Sequence, residues 1–143
     1  MAVIDLFNSG DKKKRLSHIK NLILIAAADG EIDKNEISLI SGIAARVGLS
    51  TNELDEILRS PKSISFSPPK EFKEKIEQLY DMVLLMMIDG KIHTNEVALC
   101  KIFAMKLGFK HDIIEKIVLS IVQMIEKGQT PEKVKADLEK EYA

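Results

Sequence analysis

The sequence predicts an all-α protein, a compact bundle of about seven helices, and three observations predict it. No stretch of the 143 residues alternates apolar and polar side chains over a strand's length. Apolar residues recur instead at three- and four-residue steps, in runs that stop at Gly or at a Ser/Pro cluster. One helix–loop–helix pattern also occurs twice, centred on Asp29-Gly30 and on Asp89-Gly90.

Taken in order, residues 1–10 read as a short helix ended by Gly10. From Arg15 to Ala28 there is no Pro or Gly, and Gly30 can take the left-handed conformation that closes a helix. Asp33, followed three residues later by Glu36, opens the next helix as a capping box. Ile37, Ile40, Ala44 and Val47 carry it to Gly48. Ser50 and Glu53 form a second capping box and start a short helix to about Arg59.

Ser60 to Pro69 reads as a connector, with Ser67 an N-cap and Pro68 the first helical position. A long helix then runs from about Pro69 to Ile88, and another from about Thr94 to Leu107, ended by Gly108. His111 to Lys127 is closed by Gly128, and Thr130-Pro131 caps a charged helix to about Tyr142. The wide apolar stripe from Ile113 to Ile125 fits either a central helix or one that leaves a strip for a partner.

A shift of 60 residues places residues 19–58 over 79–118 without a gap, with ten identical pairs. They include Asp29/Asp89, Gly30/Gly90, Asn35/Asn95, Glu36/Glu96 and Gly48/Gly108. The expectation is one domain over 1–143 with internal pseudo-two-fold symmetry. Its first copy spans about 15–60 and its second about 69–127, followed by the helix at 131–142.

Composition narrows the function. Lys plus Arg number 21 against 22 Asp plus Glu, so the chain lacks the basic excess of a nucleic-acid binder. The run Lys12-Lys13-Lys14-Arg15 has no interleaved aromatics and reads as a solvated helix start. One cysteine, Cys100, permits neither an intrachain disulfide nor a cysteine zinc site, and its helical register makes it a core thiol. The apolar runs Leu22–Ala28 and Met82–Ile88 are seven residues each, against the roughly 20 that span a bilayer. Direct membrane insertion is not expected, and no signal peptide is read at the start, so the location expected is cytoplasmic. His18, His93 and His111 are scattered, and Met82, Met86, Met87 and Met105 read as core filler.

The residues that could carry chemistry lie in the repeated loops. Asp29-Gly30-Glu31-Ile32-Asp33-Lys34-Asn35-Glu36 resembles the second half of an EF-hand loop. The first half fails, because Ile25 and Ala27, or Leu85 and Met87 in the second copy, stand where side-chain oxygens are needed. The longer pattern, Ala27-Ala28-Asp29-Gly30 through Glu36, echoed by Ile88-Asp89-Gly90 through Asn95-Glu96, resembles the TerB-like family named for tellurite-resistance operons. The resemblance covers roughly 12–127 and departs from the family at Ile88 and His93. It implies a helical fold of about seven helices and an acidic metal site, carried over to Asp29, Glu36, Asp89 and Glu96.

Oxygen donors of this kind suit calcium, magnesium or manganese. Asp at a helix C-terminal end opposes the helix dipole, at about 0.3–1 kcal/mol, which a bound cation would relieve. Capping explains the same residues without a ligand: Asp29 can hold its own turn, and Glu36 can close a box with Asp33. Two readings stay open. One is a non-enzymatic, cation-binding module of a stress-response system. The other is a protein-interaction module, with protein partners and purely structural loops. A carboxylate–metal hydrolase is the weakest alternative, since no separate base or oxyanion donor is apparent.

Overall fold

The computed structural model describes residues 2–28, 30–88, 90 and 94–143, with side-chain surroundings from Asp11 onward. Among them are seven α-helices and no strand. These are α1 (Ala2–Ala26), α2 (Lys34–Arg46), α3 (Thr51–Arg59), α4 (Phe72–Met87), α5 (Thr94–Leu107), α6 (His111–Glu126) and α7 (Pro131–Tyr142). A single 3-10 turn, Pro61–Ser63, lies between α3 and α4.

The helix ends obey local chemistry. Asp33 and Ser50 each accept from the backbone N–H three residues on, and Glu36 and Glu53 return the bond to complete both capping boxes. Thr130 caps α7 ahead of Pro131. Gly48 and Gly108 have φ of +85° and +106°. After them Leu49 N–H bonds Ala44 O at 2.9 Å and Phe109 N–H bonds Ala104 O at 3.2 Å, the six-residue closure of a Schellman turn.

Two boundaries differ from the sequence reading. Gly10 does not end a helix; α1 passes through it without a break. A helix-interior Gly costs only about 1 kcal/mol relative to Ala, and a 25-residue helix absorbs that. Likewise α4 begins at Phe72, not at Pro69, and its N-cap is Glu71 rather than Ser67. Ser67 gives its N–H to Ser17 Oγ at 2.8 Å, and Pro69 keeps the preceding Pro68 out of the α region. Pro69 itself is buried, so the connector is pinned as extended chain.

The core is aliphatic, and its centre is α1 and α4. In α1, Ile19, Leu22, Ile23, Ile25 and Ala26 are buried; in α4, Ile76, Leu79, Met82, Val83, Leu85 and Met86. Each large side chain contributes about 1.5–3 kcal/mol by leaving water. The helix α4 packs against α1, α2, α5, α6 and α7. Of the two readings of α6, the central one does not hold: it buries Ile114, Ile117 and Ile121, while Leu119 is 57% exposed. It touches α4, α5 and α7 and has no helix on its outer side. Met82 and Met86 are core filler as expected, but Met105 is 51% exposed.

The second half of the chain keeps the helix order of the first. The starts of α2 and α5, and of α3 and α6, are offset by the same 60 residues as the sequence repeat. No helix among the described residues is long and apolar enough to cross a membrane.

Candidate functional site

Of the four acidic residues singled out by sequence, Glu36 and Glu96 are described; Asp29 and Asp89, together with His93, lie outside the described residues. Glu36 stands in the first turn of α2 and Glu96 in the first turn of α5. Both carboxylates are buried: Glu36 is 4% exposed and Glu96 is 2%. For Glu36 the cause is its cap. Its Oε1 accepts from Asp33 N–H at 3.1 Å, while its own N–H donates to Asp33 Oδ1 at 2.8 Å, folding the side chain back over the helix start. A helix N-terminus also favours negative charge. No group of three or more His, Cys, Asp or Glu side chains suited to a metal gathers among the described residues.

A second constellation was not foreseen. Asp81 lies mid-way along α4, 1% exposed, between buried Tyr80 and Met82. Its Oδ2 is 2.8 Å from His18 Nε2 of α1 and accepts from Arg46 Nη2 of α2 at 2.6 Å. Burial alone would push the Asp81 carboxyl up. The hydrogen bond and charge of His18, followed by those of Arg46, outweigh burial and hold it below the usual aspartate range. An ionised carboxylate only accepts, so His18 Nε2 carries the hydrogen. Three helices are thereby tied at one buried point.

This point forms the floor of a cleft of about 370 Å³ lined also by Asp11, Lys14, Arg15, Glu74, Glu77 and Gln78. Arg15 is spent on structure: its Nη1 donates to Val47 O at 3.0 Å, closing the end of α2. His18 and Asp81 have the look of a catalytic pair, but the far nitrogen, His18 Nδ1, is buried and meets no nucleophile among the described residues. Cys100 is no substitute, for burial pushes its thiol up to about 12. The Ser17 hydroxyl oxygen is taken by the Ser67 N–H.

The sequence held one signal for this site. Asp81 interrupts the apolar run from Leu79 to Ile88, and an acid there must find partners. Nothing local said that the partners stood 63 and 35 residues away.

The family model of the tellurite resistance protein TerB matches residues 1–59. The similarity to TerB therefore spans less than half of the chain. No curated protein and no solved structure matched. The TerB match takes in Asp29, Glu36, His18 and Arg46, whereas Asp81, Asp89 and Glu96 lie beyond it. It is shorter than the span of roughly 12–127 over which the motif pattern runs.

Proposed function

We propose that this TerB-like chain is a non-enzymatic module that binds a divalent cation through its two Asp-Gly-x5-Glu loops, in a stress-response setting of the tellurite-resistance kind. One observation carries the reading. Glu36 and Glu96, equivalent in the repeat, are both buried at the first turn of the helix that follows an Asp-Gly loop. Carboxylates held this deep need strong compensation, to which the Glu36 cap contributes and a cation in the adjoining loop would add. Asp29 and Glu36 would serve one loop, Asp89 and Glu96 the other, and an all-oxygen donor set suits calcium, magnesium or manganese. A bound cation would supply neutralisation of the loop carboxylates. The inert thiol of Cys100 and the sealed Nδ1 of His18 support a role without catalysis.

The test is calorimetric titration of the wild-type chain with each of these cations, alongside Glu36→Gln and Glu96→Gln. Gln can still close a capping box, so Glu36→Gln keeps the start of α2 while losing the charge. The expected result is saturable binding to the wild type, weakened at least tenfold in either variant. Absence of heat and of thermal stabilisation with all three cations at millimolar concentration overturns the proposal.

A second reading, a protein-interaction module with structural loops, is favoured by one other observation. Ile102 and Met105 on α5 and Leu119 on α6 are 46%, 51% and 57% exposed, large apolar groups that the bundle leaves in water. That reading predicts wild-type thermal stability indifferent to every cation and a partner lost on Met105→Lys or Leu119→Lys.

A further inference from the structure

The buried face of α1 from Asp11 onward is apolar except for Ser17, His18 and Asn21, which are 1%, 4% and 1% exposed. Asn21 stands four residues after Ser17 and three after His18, so its side chain neighbours both along the helix. Their outward partners are fixed. Ser17 Oγ accepts from Ser67 N–H at 2.8 Å, and His18 Nε2 meets Asp81 at 2.8 Å. What remains is His18 Nδ1 and both polar atoms of the Asn21 amide, all buried and without a hydrogen-bond partner among the described residues. Turning the amide over does not help, because its nitrogen and its oxygen are orphaned alike.

We propose that this polar face is a binding site for an internal water molecule, held by His18 Nδ1 and the Asn21 amide, with the Ser17 hydroxyl beside it. Buried water characteristically makes two to four hydrogen bonds to groups that would otherwise be unsatisfied, and the face provides that number. The chemistry is specific to a ligand that both donates and accepts. The Asn21 nitrogen needs an acceptor and its oxygen needs a donor. His18 Nδ1 needs a donor when the ring is neutral and an acceptor when it is charged. Water meets every combination, whereas a cation or an anion meets only part of it. The bound water would complete the second nitrogen of the ring whose first nitrogen anchors Asp81, so it supports the tie between α1, α2 and α4.

Water-selective NOE and ROE spectra of the 15N-labelled wild-type chain test this. The Asn21 side-chain amide protons should show water cross-peaks of opposite sign in the two experiments, the signature of a water held far longer than bulk. The peaks should persist in Ser17→Ala, which removes relay by hydroxyl exchange. In Asn21→Leu the His18 Nδ1 nitrogen resonance should shift while the Nε2 resonance stays in place. No water cross-peak at Asn21 in the wild type overturns the proposal whether or not the variants fold. So does loss of the peaks in Ser17→Ala, or an unmoved Nδ1 resonance in folded Asn21→Leu.

Discussion

Positions sixty residues apart in the two halves share a helical frame and differ in how their polar groups are partnered. Arg15, from α1, closes the α2 end through Val47 O. Its counterpart Lys75, from α4, approaches the turn at Gly108, where an added Cβ would lie 3.1 Å from its Nζ. Arg46 and Lys106 occupy equivalent last turns, but Arg46 binds Asp81, while Lys106 lies over the Phe66 and Phe103 rings at 5.7 and 5.8 Å. The deepest contrast is Asp81 against Asn21. Both are 1% exposed, yet one is a carboxylate with two partners and the other an amide with none among the described residues. The helical frame therefore tolerates either a charge or a neutral polar group at this position. What it demands is that the charge be met.

That contrast sets the largest expected effect. Asp81→Ala leaves His18 and Arg46 facing an interior without the carboxylate. Removing one partner of a buried ion pair costs about 3–5 kcal/mol, and the half-exposed Arg46 places this case at the lower end. Asn21→Ala breaks no ion pair and should cost clearly less by urea denaturation; equal losses would show that charge is not what distinguishes the halves. Acid should expose the same difference. The folded chain holds Asp81 below its ordinary pKa, so its contribution is complete above the unfolded value of about 3.9 and is lost as pH falls through the lower folded value. The stability curves of wild type and Asp81→Ala should therefore converge below about pH 4. Curves that stay parallel down to pH 2 would remove Asp81 from the acid limb.

What was legible in the sequence was what is chemically local. Gly48, Gly108 and Gly128 announced helix ends because a positive φ falls most easily to Gly, and Asp33, Ser50 and Thr130 announced starts because a side-chain oxygen reaches an N–H two or three residues away. Gly10 misled because the same residue is merely tolerated inside a long helix. Ser67 misled because its N–H is claimed by Ser17 of another element. The His18–Asp81–Arg46 point was illegible because nothing in a helix's own periodicity names a partner on a different helix. Glu36 was legible as a cap, and its depth of burial was not, since burial depends on what the rest of the chain lays over it.

A smaller effect probes the turns that the halves share. Gly48→Ala and Gly108→Ala each force a Cβ into left-handed backbone, which costs about 1–2 kcal/mol. The added atom meets Arg15 Nη1 at 3.6 Å in the first turn and Lys75 Nζ at 3.1 Å in the second. A lysine tip moves aside easily, so the two losses should be nearly equal in thermal or urea unfolding. Inequality above about 1 kcal/mol would mean that the turns do different work, since it exceeds the scatter expected of one αL position.

The smallest expected effect falls where the halves differ only in kind of apolar atom. Ile40 and Cys100 are equivalent and both are 1% exposed. With its pKa pushed to about 12 by burial, the Cys100 thiol is ionised in only about one molecule in ten thousand at pH 8, against roughly a quarter for an ordinary cysteine near 8.5. Attack on a disulfide reagent needs the thiolate and also a path to it, and the folded chain denies both. Native protein at pH 8 should therefore leave the reagent unreacted over hours and release one equivalent of chromophore within seconds in concentrated urea. Its slow native rate should rise in Asp81→Ala in proportion to the lost stability, because reaction then proceeds through opening of the bundle. A fast native reaction in the wild type would place Cys100 at a surface rather than in the core, and the apolar equivalence of positions 40 and 100 would fall with it.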